Sequence, residues 1–233
     1  MDRSVTNFIR FLMDECLPPL IRDNRFFMWP FYCLAYRFRN IAAVMDFKRL
    51  VYGFSPGEYA RFYAGLNSIS RNRATDLNGP SIAGILGGIG GDVKSLLDAG
   101  CGGGYLLRRI GRERPGVRLT GCDLVGGQRA QGAYAFVRGE LGQLPFGDDV
   151  FDQVTCCHVL EHLPAPAVAV AELMRVCAGK LVVVVPCQRY FYHTLDEHLN
   201  FFTHRQQLKQ LLGRKVITCK KVRGDWIAVV DCT

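Results

Sequence analysis

The sequence predicts an α/β fold: a mostly parallel sheet with helices on both faces, an antiparallel hairpin at its end, and a helical appendage at the N-terminus. Three observations predict it. From Val93 onward, short apolar runs alternate with helical patterns, the order of a parallel sheet covered on both sides. Leu181-Val182-Val183-Val184-Val185 is apolar at every position, as a central strand buried on both faces requires. Ser95-Leu96-Leu97-Asp98 runs into Gly100-Cys101-Gly102-Gly103-Gly104 and then a helical pattern, the strand, turn and helix of a nucleotide-type site.

Taken in order, residues 4 to 22 place Val5, Phe8, Ile9, Leu12, Met13 and Leu17 at amphipathic-helix spacing, with a stop at Pro18-Pro19. Phe26 to Tyr36 is aromatic-rich around Trp29-Pro30 and reads as a packed helix, an interfacial membrane element or a lid. Ser55-Pro56-Gly57-Glu58 is a helix start: serine cap, proline at the first position, acid at the third. Tyr59, Phe62, Tyr63 and Leu66 follow on that helix. Asn78-Gly79-Pro80 reads as a turn, and Gly84, Gly87, Gly88, Gly90 and Gly91 as a loose joint. These place a boundary near residue 80, between a helical region (1–80) and the sheet domain (81–233).

Within that domain the expected strands are 94–99, 117–122, 135–138, 150–156, 181–185, 216–221 and 226–230. The expected helices are 103–112, about 166–177, and one ending at Gly213. The last two strands flank Arg223-Gly224-Asp225 as a hairpin. The stretch 124–134, with Gly126, Gly127 and Gly132, is short for a helix and reads as a turn.

Composition narrows the class. Hydrophobic content of 49% and charged content of 21% are globular values, and the net charge is +8. That charge suits an ordinary basic protein or one drawn to an acidic partner; the arginines form no run, which disfavours nucleic acid. The ten cysteines contain no C-x-x-C and are expected reduced, in the cytoplasm. No signal peptide and no apolar run of membrane-spanning length is found, which leaves peripheral membrane contact open. The amphipathic first helix is a candidate homodimer surface.

The glycine turn discriminates among nucleotides. A dinucleotide fingerprint needs G-x-G-x-x-G; from Gly100 the last position is Tyr105, and from Gly102 it is Leu107. Asp98, two residues before the first glycine, opposes a pyrophosphate but suits a ligand carrying an ammonium and a sulfonium. Asp123, at the end of the second strand, is placed for two ribose hydroxyls. Together the two acids favour S-adenosylmethionine over NAD.

Five segments then resemble one family in its own order. Asp98 to Gly104 resembles motif I of class I S-adenosylmethionine-dependent methyltransferases, and Asp123 matches their ribose-binding acid. Gly139-Glu140-Leu141-Gly142-Gln143-Leu144-Pro145-Phe146 with Phe151-Asp152 resembles "GDAxxLPF…FD" of the small-molecule (methyltransferase type 11-like) branch. His158-Val159-Leu160-Glu161-His162-Leu163 resembles "xVLEHL", and Asp196 to Thr203 resembles "DEHLxFFT". The likeness covers about residues 93 to 232 and implies a Rossmann-like seven-stranded sheet.

It also implies roles. Asp98, Ala99, Gly100, Cys101, Gly102, Gly104, Tyr105, Asp123 and Leu124 would hold S-adenosyl-L-methionine and its product S-adenosyl-L-homocysteine. Glu140 and the Leu141 backbone would meet the adenine, and Cys157 and His158 the methionine end. Tyr59 or Tyr63 would offer a ring from the helix before the first strand, and 187–204, with Tyr190, would line an acceptor pocket. Arg71 and Arg73 are candidates for holding an acidic acceptor, or solvated.

Methyl transfer to a hydroxyl needs a proton acceptor, and histidine suits that task. His198, His193 and His158 are the candidates, each against a structural role. His193, His198 and His204 with Glu197 lack metal-ligand spacing, so no metal is expected. The expected activity is methylation of a small molecule, on an oxygen of a sugar, lipid-linked intermediate or secondary metabolite. RNA or protein methylation is disfavoured, because Cys156-Cys157-His158-Val159 stands where an Asn-Pro-Pro-Tyr type motif would be. A non-catalytic S-adenosylmethionine-binding protein is the remaining alternative.

Overall fold

The computed structural model describes residues 12–66, 74–125 and 132–233, and these fall into two units. One contains 12–66 with Arg189–Leu199; the other contains Ala74–Gln188 and Asn200–Thr233, apart from 126–131.

The first unit is helical. After a π-helical turn at Leu12–Cys16 come α1 (Pro19–Arg22), α2 (Arg25–Ala35), α3 (Ile41–Met45), α4 (Phe47–Leu50), a 3₁₀ turn and α5 (Pro56–Gly65). The helical turn stops before Pro18-Pro19, as expected, and Pro19 then opens α1, because a proline's missing N–H costs nothing at a first turn. Asn24 caps α2, its side chain accepting from the Phe26 and Phe27 amides at 2.9 and 3.0 Å. Ser55 and Glu58 form the expected capping box. Met28, Tyr32, Tyr36, Val44 and Met45 make the core of this unit.

The chain returns to that core at Arg189–Leu199. The Tyr32 hydroxyl donates to the Thr194 carbonyl at 2.6 Å, and Tyr36 donates to the Leu195 carbonyl and to the Glu197 carboxylate. Lys48 donates to the Phe191 carbonyl, and the buried Arg22 guanidinium donates to the His193 carbonyl and lies over the Phe191 ring. An irregular segment with so many backbone carbonyls below the surface needs donors from elsewhere, and these side chains supply them.

The second unit opens with α6 (Gly79–Gly87). This corrects the expected turn and loose joint. Asn78 is an N-cap that accepts from the Ser81 amide at 2.9 Å, and Ile82, Ile85 and Leu86 recur at helical spacing on a buried face, with Ile89 buried just beyond it. Burial of those four outweighs the entropy cost of the glycines.

The sheet contains β1 (Ser95–Ala99), β2 (Arg118–Asp123), β3 (Ala135–Arg138), β4 (Phe151–Cys157), β5 (Cys177–Pro186), β6 (Val216–Val222) and β7 (Asp225–Asp231), in the order β3-β2-β1-β4-β5-β7-β6. Pairings from β3 through β5 are parallel, and β7 runs antiparallel to both β5 and β6. The helices are α7 (Tyr105–Glu113), α8 (Pro166–Arg175) and α9 (Arg205–Leu212). This is the mostly parallel sheet with a closing hairpin that the sequence predicted. Several bounds moved: α7 starts at Tyr105 because Gly104 is left-handed, and α8 stops at Arg175 because β5 begins at Cys177, ahead of the expected 181, and pairs there with Phe151.

Alternation splits the sheet's side chains between two cores. Leu96, Val182 and Val184 join α6 and α7 on one face, while Leu97, Val183 and Val185 join α8 and α9 on the other. Filling both cores holds the carboxyl ends of β1, β2 and β4 side by side, where a doubly wound sheet binds ligands.

Candidate functional site

The site is assembled from those carboxyl ends. Asp98 lies in register with Gly121 of β2 and Thr155 of β4. It is buried, and the Thr155 hydroxyl donates to it at 2.8 Å. Burial pushes its carboxyl up to about 7, against the Thr155 hydrogen bond that favours the ionised form, with the Asp123 charge adding to the rise. An acid held near half-ionisation in a dry place is poised for a cation.

The turn after β1 closes on itself. The Gly100 amide donates to the Cys122 carbonyl at 2.7 Å, and the Gly104 amide to the Cys101 carbonyl at 2.8 Å. Gly100, Gly102 and Gly104 are all left-handed, with φ of 77°, 50° and 71°. At Gly100 a Cβ would overlap Val159, and at Gly104 it would overlap the Tyr134 ring. Space beside Gly102 is open, so a ligand can lie against bare backbone there.

Asp123 fastens the turn to the second strand. It accepts the Gly102 amide at 2.7 Å through one oxygen and the Val125 amide at 2.8 Å through the other. Burial raises its pKa, and these backbone bonds oppose the rise. Each carboxylate oxygen still has a lone pair to offer, so the anchoring is compatible with two ribose hydroxyls. Leu124 follows it half-buried, and Tyr105 stands half-buried at the first position of α7. Ala99 is buried among the core residues of the α8 side.

Glu140 is exposed, bridged to Gln143 in a tight turn, and the Leu141 side chain is core, which leaves its backbone for recognition. Burial lifts the Cys157 and Cys101 thiols above their ordinary value, so neither is an activated nucleophile.

His158 lies between two acids. Its Nδ1 lies 3.2 Å from Glu161 and its Nε2 lies 3.6 Å from Asp225, both carboxylates buried. Burial alone would lower its pKa; the two acids outweigh that and lift it to about 10. The raised pKa favours the protonated ring, a poorer proton acceptor than a neutral imidazole. Asp225 is itself held by the Asn78 amide and by the Ser81 hydroxyl at 3.0 Å.

The other candidates lie in the helical unit. His193 is buried, edge-on to Tyr32 and Tyr192, and burial lowers its pKa. His198 is buried with Nδ1 3.6 Å from Asp196. Tyr59 and Tyr63 are half-buried neighbours on α5, with centroids 4.7 Å apart, and Tyr190 is exposed beneath the Lys48 ammonium. Arg71 and Arg73 lie outside the described residues, as do 126–131 of the short stretch after β2.

Sequence reasoning missed three residues. Tyr134 packs beneath Gly104 and Gly121; a glycine inside strand two was its signal, because it marks a close approach. Asn200 donates to the Leu160 and Leu163 carbonyls at 2.9 and 2.7 Å and so locks the turn after β4. Asp225, read only as a hairpin residue, is the partner of His158.

The comparisons agree with this geometry. Residues 97–183 match the profile of a family described as "Methyltransferase domain". The chain is 32% identical over 122 residues to a ubiquinone biosynthesis O-methyltransferase of Sodalis glossinidius, covering 45% of this chain and 43% of that protein. It is 33% identical over 109 residues to the chloroplastic tocopherol O-methyltransferase of Arabidopsis thaliana, covering 42% and 31%. The chain thus spans less than half the length of these curated relatives. In fold it is similar to an S-adenosylmethionine-dependent methyltransferase from Aquifex aeolicus, with a TM-score of 0.52 and 16% identity over 77% of this chain and 100% of that one. A second such enzyme, from Mesorhizobium loti, gives 0.52 and 15% over 69% and 98%. Residues 97–183 thus match a methyltransferase domain, and the seven-stranded sheet around them has the Rossmann-like fold of these neighbours.

Proposed function

We propose that this protein transfers a methyl group from S-adenosylmethionine to an oxygen of a small-molecule acceptor: a sugar, a lipid-linked intermediate or a secondary metabolite. The observation that carries this reading is the pair Asp98 and Asp123 on either side of an open glycine turn. An anionic cradle of that kind suits a cationic nucleoside and repels a phosphate. The curated relatives named as O-methyltransferases support oxygen as the acceptor atom.

Bound S-adenosylmethionine supplies a methyl group already activated on sulfonium sulfur. The Asp98 carboxylate would pair with its ammonium, and Asp123 would accept from the ribose hydroxyls. Glu140 and the Leu141 backbone would meet the adenine. What remains for the protein is to orient an acceptor hydroxyl and take its proton. His193 suits the proton because its lowered pKa leaves it neutral and its buried Nδ1 has no hydrogen-bond partner among the described residues. His198, beside Asp196, is the second candidate. Tyr59, Tyr63 and Tyr190 are proposed to face the acceptor.

Calorimetric titration with S-adenosylmethionine and S-adenosylhomocysteine tests the first half. Saturable binding that Asp98→Ala and Asp123→Ala each weaken is the expected result, and no binding at millimolar ligand would end the enzyme reading. His193→Gln and His198→Gln test the second half. If turnover of an identified acceptor is unchanged in both while the cofactor still binds, neither histidine is the base.

A further inference from the structure

The helical unit carries an apolar surface that its own core does not use. On α2, Phe26, Pro30 and Leu34 are spaced i, i+4, i+8 and therefore share a face, with Trp29 beside them. Phe26 is 88% exposed, Leu34 66% and Trp29 44%. Just before this helix Leu20 is 87% exposed, and just after it Phe38 is 75% exposed. Isolated exposed apolar residues need no explanation, but five large ones within 19 positions do.

Backbone conformation adds a second observation. Arg37, Phe38 and Asn40 are all left-handed, with φ of 53°, 60° and 51°. A non-glycine residue in that region is strained, and Phe38 recovers none of the cost by packing inward. The turn holds an aromatic ring out into solvent.

Charge identifies the occupant. Between residues 19 and 54 there are six lysines and arginines against two aspartates. Both aspartates are used internally: Asp46 pairs with Arg25 at 2.6 Å, and Asp23 accepts the Tyr192 amide at 2.7 Å. Arg37 and Arg39, on either side of Phe38 in the chain, are exposed. Aromatic and aliphatic tips with two exposed arginines beside them suit a lipid surface carrying negative headgroups, with α2 lying in its plane. We infer that Leu20, Phe26, Trp29, Leu34 and Phe38, with Arg37 and Arg39, form a docking face for an anionic lipid bilayer.

The test is co-sedimentation of the whole chain with vesicles of phosphatidylcholine alone or mixed with phosphatidylglycerol. Binding to the mixed vesicles alone is expected, falling as salt rises. Phe26→Ser with Phe38→Ser should weaken it by roughly tenfold or more, and Arg37→Glu with Arg39→Glu by roughly tenfold. An unchanged far-ultraviolet spectrum and unfolding midpoint show that the variants are folded. Equal binding to both vesicle types overturns the inference, as does equal binding by the variants. Self-association abolished by Phe26→Ser/Phe38→Ser, without vesicle binding, overturns it in favour of a second copy of the chain.

Discussion

His158 and Asp225 meet across the carboxyl end of β5, with Nε2 3.6 Å from the carboxylate. The His158 amide donates to the Val184 carbonyl of that same strand at 2.8 Å. The exit of β4 is thus tied to the entry of β7 over the strand between them. Glu161 lies beside the other ring nitrogen, so one imidazolium charge serves two buried acids.

That arrangement has a pH signature. His158 titrates at about 10 folded and near 6.5 unfolded. Its stabilisation is complete below pH 6.5 and is lost as pH rises toward 10. His158→Gln should flatten that alkaline decline. At pH 7 it should cost about 3–5 kcal/mol, because it leaves Glu161 and Asp225 buried without their cation. Denaturant unfolding at pH 6, 8 and 10 measures both, and parallel pH curves for the two proteins would rule the pairing out.

Asp98 gives the same sign in a lower pH range. Its pKa is raised from 3.8 to about 7, so the unfolded chain ionises first and stability declines as pH rises from about 4 to 7. Asp98→Asn should remove that decline and raise stability above pH 7 by about 2–4 kcal/mol. Cofactor affinity should move the other way. In the native protein it should rise by up to roughly tenfold per pH unit below 7 and level off above. A pH-independent dissociation constant between pH 5 and 8 would count against Asp98 as the ammonium's partner.

Gly100 tests the turn itself. Its φ is 77°, and an added Cβ overlaps Val159. Gly100→Ala should lower the melting temperature, with about 1 kcal/mol from the backbone alone, and weaken cofactor binding. Val159→Ala in the same chain should restore part of the loss by clearing the overlap. Failure of that rescue would mean the backbone angle dominates.

Asn200 binds the turn after β4 through two side-chain hydrogen bonds, to Leu160 and Leu163. Asn200→Leu strands both carbonyls, a loss of about 2–3 kcal/mol. Hydrogen exchange should then show faster opening around residues 159–163 while the amides of β1 stay protected. Uniform acceleration across the sheet would show that the contact supports the whole unit instead.

The sequence by itself determined the sheet, because strands buried on both faces and a glycine turn between strand and helix are local patterns that few other structures satisfy. It also placed Asp98 and Asp123, since the ends of the first two strands follow from their lengths. It misread 79–87, where glycine content signalled a joint and three buried isoleucine and leucine positions made a helix. The tertiary structure alone decided what His158 is. A histidine's charge depends on what surrounds it, and Asp225 lies 67 positions along the chain, brought near by the antiparallel return of β7. The joining of Arg189–Leu199 to the helical unit was decided in the same way, by hydroxyls of Tyr32 and Tyr36 reaching carbonyls about 160 residues distant. Periodicity encodes which face of an element is buried; it does not encode which distant polar group will satisfy a buried one.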